Sequence, residues 1–385
     1  MFRAESRLLE TMGHTVHRHA VHNDAVEDLS RAALLRRTLW SRETYRAVAD
    51  LVQDAQIDVV HFHNTLPLVS PSAYYAARKH GAAVVQSLHN YRLHCPGALY
   101  FREGRVCEDC LGKSYAWSGI RHGCYRGSRA ATAAVATMTA AHRQLGTWDR
   151  AVDRYIAMTD FAHAKFIEGG LPADKLAVKP NFLDPDPGAG TGQGGYALFV
   201  GRLSHEKGIS LILDAWTRHA PDLRLVIAGD GPEAAAVEAA VAAHPDRIEW
   251  VGHQTRDGVM RLMADAAVFV FSSECYEGGT PMALIEAMAN GTPVVASDLG
   301  GPKSMVKQDV AGTRFAPGDP AALAAAVNRL AADPARLQAL RASTRALFEH
   351  RYTAAANYAL LVDIYDAALR QRHDGPGVGE TEEGR

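Results

Sequence analysis

Short apolar runs bounded by turn residues alternate with amphipathic stretches along this chain, the pattern of parallel sheets layered with helices. In the first half, Thr15–Val21, Val59–His63, Val84–His89 and Tyr155–Met158 read as buried strands. In the second, Tyr196–Val200, Leu223–Ala228, Ile248–Val251, Val268–Phe271 and Pro293–Ala296 do the same. Between the halves, Asp184–Gly195 (DPDPGAGTGQGG) carries no apolar anchor and reads as a linker. The organisation that follows is an α/β chain of two doubly wound domains, 1–184 and 196–350, joined by 185–195 and followed by a helix over 351–371. A Gly- and Glu-rich tail, 372–385, is expected to be disordered. Two such domains face each other across a cleft at the carboxyl ends of their strands, where open α/β sheets bind ligands.

The most informative stretch is Ser272–Gly301, SSECYEGGTPMALIEAMANGTPVVASDLGG. It reads as an acidic, Gly-rich loop after a strand, a helix over Pro281–Asn290, a turn, and a further strand. Pro281 suits a first helical turn, where its missing N–H costs nothing. Gly291 suits a left-handed cap at the helix end. Gly278, Gly279 and Thr280 then offer bare amides at a helix N-terminus, a geometry that attracts phosphate. Glu277 and Glu286 bracket that loop, and carboxylates accept hydrogen bonds from sugar hydroxyls. Phosphate donors beside hydroxyl acceptors point to a nucleotide-sugar pocket. A second motif, Gly201–Arg202–Leu203–Ser204–His205–Glu206–Lys207–Gly208, follows the strand Tyr196–Val200. Its Arg and Lys can grip two phosphates together, one as a fork and one as a point charge.

With VGRLSHEKGI, VIAGDGPE, WVGH and YEGGTPMALIEAMANGTPVVASDLGG on the page, the chain resembles glycosyltransferase family 4, most closely in its C-terminal half. The resemblance implies the GT-B fold, two Rossmann-like domains facing a cleft. It also implies transfer of a hexose-like sugar from a nucleoside diphosphate sugar to an acceptor hydroxyl, with retention of configuration. In the family's terms Arg202 and Lys207 hold the diphosphate, Glu277 contacts the donor sugar, and Glu286 binds the ribose hydroxyls. Gly201, Gly278, Gly279 and Thr280 complete the donor site. Eight residues separate the two Glu, one more than the family's usual spacing. His89 of Leu88–His89–Asn90–Tyr91–Arg92 matches the imidazole that lies beside the donor sugar, with Asn90 behind it; His63 ranks lower. Base contacts are expected around His253. The final helix would cross back onto the N-terminal domain. The family also starts one strand earlier, with a Gly-rich loop; here the N-terminal domain lacks that first strand, and an upstream start is expected to supply it.

Four of five cysteines cluster in an insert over 95–124: Cys95, Cys107, Cys110 and Cys124. Cys107–Glu–Asp–Cys110 has the spacing that lets two thiolates share a tetrahedral ion, so structural zinc is expected; disulfides and free thiols are the alternatives. His94 and His122 could each replace a cysteine. Cys275 reads as a small buried residue. No catalytic metal is expected. Arg31, Arg36, Arg37, Arg42 and Arg46 lie along Leu29–Val52 among Leu, Trp and Tyr. That helix is either a solvated face over a packed stripe or a contact for an anionic membrane.

At 385 residues the chain suits two domains, and a net charge of −2 gives no sign of nucleic-acid binding. No apolar run reaches transmembrane length, and MFRAESRLLE reads as an amphipathic helix, so the expectation is a cytoplasmic enzyme, at most peripheral to the inner face of the membrane. The resemblance suggests polysaccharide, lipopolysaccharide or glycoconjugate biosynthesis on a glycan or lipid-linked acceptor. Rival readings are an inactive nucleotide-sugar-binding protein and a nucleotide-sugar epimerase of the same architecture.

Overall fold

The computed structural model describes residues 1–22, 24 and 30–374. Among the described residues twelve strands form in chain order: β1 Val59–His63, β2 Ala83–Leu88, β3 Phe101–Arg102, β4 Arg105–Val106, β5 Arg154–Ala157, β6 Leu176–Val178, β7 Tyr196–Val200, β8 Arg224–Ala228, β9 Ile248–Trp250, β10 Val268–Phe271, β11 Val294–Ser297 and β12 Gly312–Phe315. The N-terminal half holds a parallel sheet in the order β1-β2-β5-β6, and the C-terminal half a parallel sheet in the order β12-β11-β10-β7-β8-β9. β2 is buried along its whole length, as a strand covered on both faces by helices must be. Its continuous run AVVQSL is therefore apolar rather than alternating, and Gln86 is the exception that finds the Tyr74 hydroxyl at 2.7 Å. The sequence reading does not include the short strands β3, β4, β6 and β12.

Thr15–Val21 is the main departure. It is expected as a buried strand but pairs with no strand among the described residues, and most of its residues are exposed. A strand needs a ladder, and β1 stands at the sheet edge with β2 as its one partner. Beside the free edge of β1 lies a cavity of about 840 Å³, lined by Val59, Val60, His61, Phe62 and His63 on one side and His17, His19 and Val21 on the other. Among the described residues, this segment lines the cavity without hydrogen bonding into the sheet.

The helix expected over Leu29–Val52 is also two helices, Arg31–Leu39 and Arg42–Asp54; Leu29 lies outside the described residues. Ser41 breaks it. Its hydroxyl caps the second helix by accepting from Thr44 N at 3.1 Å, while its backbone N–H donates to Ser70 Oγ at 2.9 Å. Thr44, Val48, Ala49 and Val52 are buried, which leaves Arg36, Arg42 and Arg46 on the exposed side.

The last helix runs Ala354–Asp374, further than expected, into the region read as tail. Residues 375–385 lie outside those described. Leu361, Ile364 and Ala368 pack on Ala83, Val85, Ile156 and Met158 of the N-terminal sheet. The segment 184–195 has no apolar anchor but is fastened by polar ones. Arg345 forks onto Asp186 at 2.6 and 2.7 Å, and the guanidinium of Arg341 donates to Gly190 O at 2.8 Å.

One buried polar contact ties the ends of the chain together. Lys179, just past β6, sits 2.5 Å from Glu5 of the first helix and 3.0 Å from Asn357 of the last, with its side chain 1% exposed. Lys179→Ala should cost about 3–5 kcal/mol, since it strands the Glu5 carboxylate in a buried site. Lys179→Ala paired with Glu5→Leu should recover part of that loss in urea denaturation; a double variant no better than the single would refute the pairing.

Candidate active site

The site is assembled from the carboxyl ends of β7, β10, β1 and β2. Lys207 follows β7 in a single tight turn. Gly208 closes that turn at φ +71°, and its backbone passes so near Ser272 that a Cβ would lie 2.2 Å from the Ser272 carbonyl oxygen. Ser272 Oγ in turn donates to Lys207 O at 2.8 Å. The Lys207 ammonium meets Glu277 Oε1 at 2.6 Å, and Ser273 Oγ donates to the same oxygen at 2.6 Å. Burial alone would lower the Lys207 ammonium, but the Glu277 carboxylate outweighs it and raises the pKa above the ordinary lysine value. Lys207 is thus charged and held in place by the carboxylate expected to touch the donor sugar.

The Gly loop behaves as expected in part. The amides of Gly278, Gly279 and Thr280 donate to no acceptor among the described residues. The helix they lead into spans Met282–Ala289, and Pro281 stands before it as an extended cap residue rather than inside the first turn. Gly291 adopts φ +66° at the far end, and Thr292 N–H reaches back to Ala287 O at 2.8 Å. The side chain of Thr280 has a further use. Its hydroxyl donates to Met158 O at 2.8 Å and accepts from Asn181 N at 3.1 Å, and Asn181 Nδ2 donates to Thr280 O at 3.0 Å. Gly278 passes the His89–Asn90 turn so closely that a Cβ would lie 2.5 Å from Asn90 Cα. Tyr91, one residue further on, donates its hydroxyl to Glu277 O at 3.2 Å.

Glu286 is half-buried with no hydrogen-bond partner among the described residues, and burial raises its carboxyl above the ordinary value, with Arg256 pulling weakly the other way. Arg202, beside Gly201, is exposed and makes no ion pair among the described residues. His253 is exposed in the loop after β9, whose Gly252 accepts from Gly229 N at 2.8 Å. Arg202, Lys207, Glu277 and the Gly loop occupy loops that follow strands of the C-terminal sheet, Glu286 lies in the Met282–Ala289 helix, and His89 and Asn90 come to the Gly loop from β2. Cys275 is buried, and burial pushes its thiol up to about 12.

The sequence reading missed what stands behind His89. His89 Nε2 lies 2.8 Å from His63 Nδ1, and His63 Nε2 lies 3.2 Å from Glu5 Oε2, the carboxylate held by Lys179. Because His63 faces a carboxylate through Nε2, the consistent assignment puts the proton there. His89 then donates through Nε2 and keeps Nδ1 as an acceptor. His61 is tied to Tyr365 at 2.9 Å and Ser87 at 2.8 Å. Burial raises the Glu5 carboxyl, but the His63 hydrogen bond and the Lys179 charge overcome it and hold the group well below the usual range. Burial pushes His89 down to about 4. Glu5 was legible only as an acid within the amphipathic first helix, and Lys179 follows a strand that the pattern did not reveal. Glu5, His61 and His63 form the one trio of metal-type ligand atoms within 4.8 Å among the described residues. The Lys179 ammonium already occupies the Glu5 side of it, which disfavours a further cation.

Two facing parallel α/β sheets with these loops at their carboxyl ends define the class, a two-domain GT-B glycosyltransferase architecture. Residues 3–187 match the Glycosyltransferase Family 4 domain and residues 194–333 the Glycosyl transferases group 1 domain, so the chain belongs to glycosyltransferase family 4. It is 34% identical over 213 residues to the 2-deoxystreptamine glucosyltransferase of Streptomyces kanamyceticus, an alignment covering 54% of this chain and 50% of that protein. Over 216 residues it is 28% identical to the amylovoran biosynthesis glycosyltransferase AmsK of Erwinia amylovora, covering 52% and 53% respectively. The chain thus spans about half the length of these curated relatives. Among solved structures it resembles Anabaena HepE in complex with UDP, with a TM-score of 0.63 at 19% identity over 83% of this chain and 82% of that one. A glycosyltransferase from Rickettsia africae gives a TM-score of 0.64 at 13% identity over 94% and 87%.

Histidines buried in the neutral form fix the pH response. His89, at about 4, and His94, pushed down to about 3 by burial and by Arg143, are charged in the unfolded chain below about 6.5 but not in the folded one. The unfolded state therefore binds more protons over that interval, and stability must fall as pH drops from about 6.5 towards 4. Thermal unfolding midpoints should decline over this range, less steeply in His89→Phe than in the parent; a flat profile would contradict the buried neutral assignment.

Proposed function

We propose that this chain transfers a hexose-like sugar from a nucleoside diphosphate sugar to an acceptor hydroxyl with retention of configuration. The observation that carries the reading is the charged Lys207, held by Glu277 beside three unoccupied amides at the foot of the Met282–Ala289 helix. A departing diphosphate gathers negative charge, and fixed donors aimed at it lower the barrier without reorganising. Lys207, Arg202 and the amides of Gly279 and Thr280 supply those donors. Glu277 orients Lys207 and meets the sugar hydroxyls, Glu286 takes the ribose hydroxyls, and His253 lies near the base. His89, neutral at pH 7, accepts a hydrogen bond from a donor-sugar hydroxyl through Nδ1 rather than giving up a proton. The acceptor attacks from the face the diphosphate leaves, so no glycosidase-type carboxylate pair is required. Any metal belongs in this reading to the cysteine insert and takes no part in the chemistry.

The acceptor side is the 840 Å³ cavity, which opens past His89 and Asn90 and is lined there by Arg92, Tyr125 and Arg126. An aromatic face with guanidinium groups suits a glycan or an anionic lipid-linked acceptor. Two relatives, one named for glucosyl transfer and one for biosynthesis of a polysaccharide, support this class of substrate. No helix among the described residues is long and apolar enough to cross a membrane. Contact with an anionic inner membrane surface is proposed through Arg36, Arg42 and Arg46 beside the exposed Leu35 and Trp40.

Calorimetric titration with UDP, GDP and ADP should find one nucleotide that binds at micromolar Kd, weakened by Lys207→Ala and by Glu286→Ala. With the matching sugar donor, Lys207→Ala should lower turnover roughly 10²–10³-fold. Near-normal turnover in that variant would sink the assignment, and an epimerised donor formed without acceptor would favour the epimerase reading. Vesicles containing anionic lipid should co-sediment the chain; protein left wholly in the supernatant removes the membrane contact alone.

A further inference from the structure

The insert gathers its four cysteines with little apolar core of its own; Cys95 and Tyr100 join the N-terminal core. β3 and β4 are two residues each, and Cys107 N–H donates to Tyr100 O at 2.7 Å, folding the Cys107–Cys110 turn back onto the Cys95 turn. A Cβ on Gly97 would lie 3.7 Å from Cys95 Sγ and 3.6 Å from Cys124 Cβ, and one on Gly119 would lie 3.5 Å from Cys110 Sγ. All four thiols are free.

Two guanidinium groups stand close to the cysteines. Arg102 adds positive charge close to Cys107 and Cys124, and its buried Nε has no partner among the described residues. Arg92 does the same near Cys95. Four thiolates around a divalent ion leave a net negative charge, and these two guanidinium groups stand where it would need compensation. No three of the sulfurs lie within 4.8 Å of one another, whereas Zn–S bonds of about 2.3 Å in a tetrahedron place sulfurs about 3.8 Å apart. An ion would draw the turns together.

We propose that Cys95, Cys107, Cys110 and Cys124 hold one zinc ion in a closed four-thiolate site, each thiol releasing its proton to solvent as it binds. With every position taken by protein, the ion is structural. Its place in the fold gives it a consequence. The insert touches the donor loop where Tyr276 N–H donates to Leu99 O at 3.2 Å, and it touches the Lys207 turn where the Phe101 ring stands 5.7 Å from His205. Glu108, inside the metal turn, pairs with Lys165 at 2.7 Å. The ion fixes the insert against the donor loop, a consequence that rests on the donor reading; the site itself does not.

The test is metal analysis of the full chain purified without added metal, followed by chelation and titration with Co²⁺. About one zinc per chain and a thiolate-to-cobalt charge-transfer band are expected, both lost in Cys107→Ser/Cys110→Ser and both kept in Cys275→Ser. Stripped protein should be cut by protease within 95–124 at least ~10-fold faster than the metal-bound form, as release of a folding ligand requires. Folded parent protein that holds no zinc and gives no cobalt band overturns the site, as does an unchanged band in the double variant. Should the double variant fail to fold, the cobalt titration of the parent alone decides.

Discussion

The site depends on a close crossing between the two halves of the chain. At Gly278 the donor loop runs against the Asn90 backbone with no room for a side chain, and two residues later Thr280 is bonded to Met158 and Asn181. These contacts hold a loop of the C-terminal sheet on strand ends of the N-terminal one. Glycine is therefore required at 278, because its backbone must pass the turn more closely than a Cβ allows. The Tyr91 hydroxyl on Glu277 O fastens the residue just before it.

Charge is distributed unevenly around that crossing. On the C-terminal side a charged Lys207 is balanced by Glu277, and Arg202 has no ion-pair partner among the described residues. On the N-terminal side the chain Lys179, Glu5, His63, His89 begins with a buried ion pair and ends in a neutral imidazole. An ion pair of this kind contributes little net stability but is costly to break. It holds the first helix, the sheet and the last helix in register, and through His63 it sets the tautomer of His89. A neutral hydrogen-bonding group thus faces charged phosphate donors across the loop, an arrangement suited to a sugar on one side and a diphosphate on the other.

The C-terminal half was legible because its signals are local. Strands β7 and β10 match their apolar runs residue for residue, Gly291 caps the helix it punctuates, and Lys207 and Glu286 fall within short motifs. The N-terminal half was less legible because its determinants act over distance. Thr15–Val21 reads as a strand but finds no strand to pair with among the described residues, which a pattern along one chain cannot reveal. The long basic helix broke because Ser41 found Ser70 and Ser72, residues far along the chain. Lys207 was read correctly as a loop cation, yet its pairing with Glu277 spans two strands and is invisible in the sequence. Glu5 and Lys179 lie 174 residues apart and carry no motif.

The central claim is that a nucleoside diphosphate seats its phosphates on Lys207, Arg202 and the amides of Gly279 and Thr280. A crystal structure of the chain with its bound nucleotide tests this most directly. The account predicts diphosphate oxygens within hydrogen-bond distance of Lys207 Nζ and the Gly279 amide, with the ribose on Glu286. A nucleotide found instead in the cavity beside β1, with the Lys207–Glu277 pair undisturbed and the Gly loop empty, would contradict it.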